Sequence, residues 1–222
     1  MRNNESLRAE RILEILKAYF PIQDKSNICR DPFKVLVRTI ISQSTTEVNA
    51  ERAFNNLSAK ISVTPENLAQ VDIKDIEDSL RIAGLHRNKS IVLKNISTII
   101  MEKFNGELNF IYLLPLKEAR EKLLSLPGVG PKTADILLLF CAGKPVLPVD
   151  THVSRVSKRL GLVPLNEKKY DSIRTRLEEI YSPENYFAVH MLFIALGRKF
   201  CKSLKPLCGQ CPLNKLCPSV GL

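Results

Sequence analysis

No stretch of this 222-residue chain approaches the about 20 consecutive apolar residues that a membrane-spanning helix needs, so no such helix is expected. The opening segment, Met1 to Glu10, lacks the apolar run of a secretory signal, and Glu5 and Glu10 are residues that transit peptides avoid. The chain is therefore expected to remain in the compartment where it is made. In that reducing setting the six cysteines are not expected to form a disulfide framework. Alternating apolar and polar residues are scarce throughout, so strands are not expected. Long linkers, repeats and low-complexity tracts are also missing, which leaves no obvious division of the chain. Acidic residues are the other shortfall: 23 Asp and Glu face 33 Lys and Arg, for a formal charge of +10.

What is present fits a folded, basic, helical protein. Hydrophobic residues make up 45% of the chain, enough for a sizeable buried core. A pI near 9.4 is the electrostatic footprint of a nucleic-acid binder, although basic proteins also meet membranes and acidic partners. Apolar residues at Ile12, Leu13, Leu16 and Tyr19 repeat with helical period. Asp31 and Pro32 open a second helix reaching Ser42, and Thr64-Pro65-Glu66 opens another reaching about Gln70. Further helices are expected at 48–57, 73–83 (stopping at Gly84), 88–104, 116–125, 132–142, 151–160, 170–181 and 188–198. The fold class that follows is all-α.

Four of the six cysteines crowd the tail as Cys201-x6-Cys208-x2-Cys211-x5-Cys217, among Pro206, Gly209, Pro212 and Pro218. So short and proline-rich a loop cannot hold itself together by burial, whereas four thiolates converging on a metal would do so. Zinc and iron–sulfur clusters both accept four cysteines. A single Cys-x2-Cys knuckle with longer flanking gaps leans towards a [4Fe–4S] cluster without deciding the matter. Cys29 and Cys141 read instead as small buried residues.

Leu126-Pro127-Gly128-Val129-Gly130-Pro131 joins two of the helices. Its glycines permit a tight hairpin and a close backbone approach to a ligand, and Val129 between them can plug the core. The turn leads into a helix start, where free N–H groups suit an anion such as a DNA phosphate. Lys132 follows in the first turn of an apolar helix, where the positive end of the helix dipole opposes its ammonium charge. Asp150, in Pro148-Val149-Asp150-Thr151-His152, reads first as a standard cap for the helix that begins at Thr151; the other reading is a carboxylate able to stabilise positive charge or move a proton.

The Leu126-to-Lys132 hairpin, the Val149-Asp150-Thr151-His152 segment and the cysteine tail together resemble the endonuclease III family of the helix-hairpin-helix DNA glycosylases, over almost the whole chain. That resemblance implies a [4Fe–4S] cluster on Cys201, Cys208, Cys211 and Cys217, with Lys132 and Asp150 as the catalytic lysine and aspartate. Gln43, in Ile41-Ser42-Gln43-Ser44-Thr45-Thr46, resembles the residue that fills the space left by an extruded nucleotide. Leu85, in Gly84-Leu85-His86, resembles a leucine that wedges between bases. Gly128, Val129 and Gly130 would contact DNA through the hairpin. Glu47 and Pro131 depart from the bacterial pattern, which commonly has Asp and Arg there.

The implied fold has two helical lobes with the active cleft between them. One is a six-helix barrel over residues 24–144, with the helix-hairpin-helix at about 116–142. The other combines 1–23 with 145–222 and carries the cluster. The implied function is a bifunctional glycosylase and AP lyase of base-excision repair that removes oxidised pyrimidines and cuts 3′ to the abasic site through a lysine Schiff base. Its partner would be double-stranded DNA with damaged bases or abasic sites. The protein would act as a monomer in the cytoplasm of a prokaryote, associated with the nucleoid. Two other readings share the motifs: a mismatch glycosylase acting on G/T or uracil, and a non-catalytic DNA-binding iron–sulfur module.

Overall fold

Local signals fix where the helices begin. The Asp31 carboxylate accepts the Phe33 and Lys34 N–H groups with Pro32 in the first helical position, and Thr46 and Thr64 cap the next two helices through their hydroxyls. In this computed structural model, which describes residues 4–22 and 29–221, every regular element is helical. No helix among the described residues is long and apolar enough to cross a membrane.

The chain divides into two units, Met1–Lys25 with Lys144–Leu222, and Ser26–Gly143. The first expected lobe boundary, at residues 23 and 24, lies outside the described residues. Helix α1 (Asn4–Tyr19) belongs to the first unit. The second contains α2 (Pro32–Ser42), α3 (Glu47–Lys60), α4 (Pro65–Gln70), α5 (Ile73–Leu80), α6 (His86–Phe104), α7 (Phe110–Leu113), α8 (Leu116–Leu124) and α9 (Pro131–Phe140). Six of these eight are at least eight residues long; α4 and α7 are the short ones. The chain then returns to the first unit with α10 (Thr151–Arg159), α11 (Tyr170–Ile180) and α12 (Tyr186–Lys199).

In the second unit α6 packs against α4 and α5, and α2 against α3 and α9. Leu36 and Ile40 of α2, Leu57 of α3, Leu93 and Ile96 of α6 and Leu137 of α9 are fully buried. Each such side chain contributes about 1.5–3 kcal/mol by leaving water. The two helices of the hairpin are also held by charge: Arg120 of α8 donates from Nε to Asp135 Oδ1 of α9 at 2.7 Å, and the carboxylate is completely buried. Breaking such a pair from one side strands a charge in the core.

Two expectations change. The helix expected over 73–83 ends at Leu80, and Arg81–Ala83 tighten into a 3₁₀ turn before Gly84, whose φ is 66°. Cys29 and Cys141, expected to be buried and reduced, are each half-buried and joined by a disulfide with Cα atoms 5.0 Å apart. Packing of α2 on α9 explains it, because Cys29, three residues before α2, then lies beside Cys141 at the end of α9, within the span that a disulfide bridges.

In the first unit α12 is the central helix, packed by α1 and α10 and buried along Phe187, Val189, Leu192 and Phe193. Its Gly197 lets α10 come close: a Cβ there would stand 2.8 Å from His152 Nδ1 and 3.1 Å from His152 Cβ.

Candidate active site

The hairpin between α8 and α9 needs its first glycine twice over. Gly128 has φ +73°, and a Cβ on it would meet Val92 of α6 at 2.4 Å. Val129 is buried, plugging the core beneath the turn. Gly130 is different: its φ is −89°, which any residue adopts, and a Cβ there would meet nothing within 4 Å. Its missing side chain therefore makes room for no contact among the described residues. Among the described residues no side chain caps the start of α9. Lys132 stands half-buried in that first turn, one residue after Pro131.

Gln43, the C-cap of α2, is exposed and donates from Nε2 to the Gly128 carbonyl at 3.1 Å. The structure thus brings Gln43 and the hairpin together. Leu85 is also in this unit, at the start of α6, with φ 48° and ψ 27°. Leucine pays roughly 1–2 kcal/mol to adopt this left-handed conformation, and its side chain, 58% exposed, recovers no burial in exchange. The turn is held from below by Lys89, a buried lysine of α6 whose Nζ donates to the Ala83 carbonyl at 3.0 Å. Burial holds the Lys89 ammonium below the usual lysine range.

Asp150 belongs to the other unit. Its Oδ1 accepts the Val153 N–H at 2.7 Å, capping α10. Among the described residues Oδ2 accepts no hydrogen bond, so capping and a chemical role are compatible in the same carboxylate. The approach to Asp150 is irregular and buried from Val146 to Val149. Its backbone groups are met by side chains instead of a neighbouring strand: Glu178 Oε1 accepts the Leu147 N–H at 2.8 Å, His190 Nδ1 donates to the Pro148 carbonyl at 2.8 Å, and the Tyr170 hydroxyl accepts the Val149 N–H at 3.2 Å. Sequence reading missed these three residues; a histidine in the apolar run of α12 was the only available signal.

Cys201, Cys208, Cys211 and Cys217 line one cavity with Leu160, Leu196 and Phe200. Among the described residues no three potential ligands gather tightly enough to hold a single metal ion. Burial, with the neighbouring thiols, raises the Cys211 and Cys217 thiols above the ordinary range. As free thiols they are poor nucleophiles. Arginines brace the loop: Arg155 donates to the Cys201 carbonyl at 2.9 Å, Arg159 to the Lys202 carbonyl at 2.6 Å, and Arg8 to the Leu160 and Leu216 carbonyls at 2.6 and 2.9 Å.

The chain is similar to known proteins over most of its length. Residues 37–183 match the family model of the HhH-GPD superfamily base excision DNA repair proteins, which covers more than half the chain. Endonuclease III of Thermotoga maritima is 37% identical over 207 residues, 92% of this chain and 89% of that protein. Endonuclease III of Sulfolobus acidocaldarius is 35% identical over 196 residues, 86% and 85% of the two chains. Among solved structures, a trapped endonuclease III–DNA covalent intermediate superposes with a TM-score of 0.84 at 30% identity, covering 96% of each chain. The chain belongs to the HhH-GPD base-excision DNA repair superfamily and, within it, to the endonuclease III family of DNA glycosylase/AP lyases.

Proposed function

We propose that this enzyme excises oxidised pyrimidines from double-stranded DNA and nicks the resulting abasic site, with Lys132 as nucleophile and Asp150 as its electrostatic and proton-transfer partner. A base inside a duplex is out of reach, so it must be flipped out, at a cost of a few kcal/mol that is smallest for damaged bases. Gln43 and Leu85 offset part of that cost by entering the vacated stack. The uncapped start of α9 and the open face of Gly130 receive a backbone phosphate, which positions the duplex without reading its sequence.

Lys132 as free amine attacks C1′, and the bond from C1′ to the base breaks with its electron pair leaving on the base. Asp150 stabilises the positive charge that develops on the sugar. Opening of the sugar ring and loss of a proton from nitrogen give a Schiff base between Nζ and C1′. Removal of a proton from C2′ then expels the 3′ phosphate by β-elimination, and water releases Lys132 from the product.

The cysteine cavity supports a [4Fe–4S] cluster in preference to one zinc ion. Four sulfurs around a cavity can each bind a different iron, whereas zinc requires four sulfurs at about 2.3 Å from one point. When bound, the cluster ties the loop carrying Lys202 and Lys205 into a fixed shape.

The observation that carries the reading is Lys132 itself, half-buried at the open start of the helix that follows the glycine hairpin. A panel of duplexes carrying oxidised pyrimidine, uracil, mismatched thymine or a bare abasic site tests it. Excision and nicking are expected with oxidised pyrimidine, and nicking alone with the abasic site. Excision of thymine or uracil without nicking would overturn it in favour of a mismatch enzyme.

A further inference from the structure

The segment that delivers Asp150 to the start of α10 is irregular, buried and held on consecutive residues by side chains of α11 and α12. Glu178 takes the Leu147 N–H, His190 takes the Pro148 carbonyl, and Tyr170 takes the Val149 N–H. We propose that Tyr170 and His190, with Glu178, are positioning residues for Asp150: they set where its carboxylate stands during base excision. This rests on the catalytic reading of Asp150.

The geometry favours this over simple satisfaction of buried backbone. Water or a strand could satisfy these groups, but the three holds fall on the three residues immediately preceding Asp150 and come from two different helices. Val149 is followed directly by the carboxylate-bearing residue, so a shift of the Val149 N–H translates into a shift of Asp150. The next link is equally constrained. Asp150 Oδ1 is pinned by the Val153 N–H, and α10 is seated against α12 where Gly197 admits His152. Asp150 is thereby fixed from before and after, with Oδ1 engaged as the helix cap and Oδ2 accepting no hydrogen bond among the described residues. His190 is 2% exposed and the Tyr170 hydroxyl bonds a buried amide, so each acts through the backbone it holds. A displacement of about 1 Å at a reacting group can cost on the order of 10²-fold in rate; loss of one hold among three should cost about tenfold.

The test is single-turnover excision at saturating damaged duplex, with the dissociation constant for an abasic-site duplex measured alongside. Tyr170→Phe and His190→Leu should each lower the excision rate about tenfold while binding stays within about twofold. Asn places an amide N–H close to where the histidine Nδ1–H stands, so His190→Asn should restore most of what His190→Leu loses. Combined with Asp150→Asn, neither Tyr170→Phe nor His190→Leu should lower the rate further, because both act through that carboxylate. Tyr170→Phe preserves ring packing and keeps the test open if His190→Leu folds poorly. Unchanged rates in both single variants, a His190→Asn as slow as His190→Leu, or full additivity with Asp150→Asn would each overturn the proposal. Wild-type excision by Asp150→Asn alone would instead overturn the catalytic reading of Asp150 on which it rests.

Discussion

Gln43 donates from Nε2 to the Gly128 carbonyl at 3.1 Å, joining the end of α2 to the hairpin across 85 positions of sequence. The side chain proposed to fill the gap left by a flipped nucleotide is therefore held in place by the turn proposed to grip the backbone. Removing it with Gln43→Ala loses both the hydrogen bond, worth about 1 kcal/mol, and the filling of the gap. We expect kcat/KM on a damaged-base duplex to fall about tenfold, and by clearly less on an abasic duplex, where no base has to be unstacked. Equal losses on both would mean that Gln43 supports the hairpin alone.

Leu85 offers a trade between stability and function. It is exposed and left-handed, so the fold gains nothing from its side chain. Leu85→Gly should leave thermal stability unchanged or raise it, since relief of the left-handed penalty of roughly 1–2 kcal/mol opposes the greater freedom of glycine when unfolded. The same variant should excise damaged bases several-fold more slowly. Thermal unfolding and excision, measured on one preparation, check both halves. A marked loss of stability would show that Leu85 belongs to the fold.

The disulfide closes a loop between residues 112 apart in sequence. Chain entropy assigns a cross-link over about 100 residues ~4.7 kcal/mol at 25 °C. The double variant Cys29→Ser/Cys141→Ser should accordingly unfold at lower denaturant, with a loss of a few kcal/mol. Wild type treated with reductant should match it. Free-thiol counting on the untreated, unfolded protein should find Cys29 and Cys141 unreactive.

The order of these contacts explains what was legible in the sequence. The starts of α2 and α4 could be placed to the residue because Asp31 and Thr64 cap N–H groups two or three positions ahead. The all-helical class followed from apolar periodicity, which is also local. Lys132 and the hairpin stood out because glycine, proline and lysine are consecutive. The Cys29–Cys141 bond, the Gln43–Gly128 bond and the holds on Leu147, Pro148 and Val149 each join residues 21 to 112 apart. Packing decides those, and a single sequence carries no spacing rule for them. The compartment argument about cysteine went wrong at Cys29 and Cys141 for this reason: it considered their number and setting, and the packing of α2 on α9 decided their pairing.

The cysteine cavity makes a chemical prediction. Protein purified without oxygen should be brown and contain iron and acid-labile sulfide in equal amounts. Cys211→Ser should lower the iron content and destabilise the loop that Arg155 and Arg159 brace. Stoichiometric zinc without iron would contradict the cluster.

The central claim is that Lys132 becomes covalently joined to the sugar. Borohydride reduces a Schiff base to a stable amine, so incubating the enzyme with a damaged or abasic duplex and borohydride should yield a cross-linked species, with the DNA fragment mapped to Lys132 by mass spectrometry. Gln has good helix propensity and suits this position, so Lys132→Gln should fold and bind an abasic duplex. A neutral amide cannot form a Schiff base, and the cross-link should vanish. A cross-link that persists in Lys132→Gln, or maps to another amine in the wild type, would contradict the account.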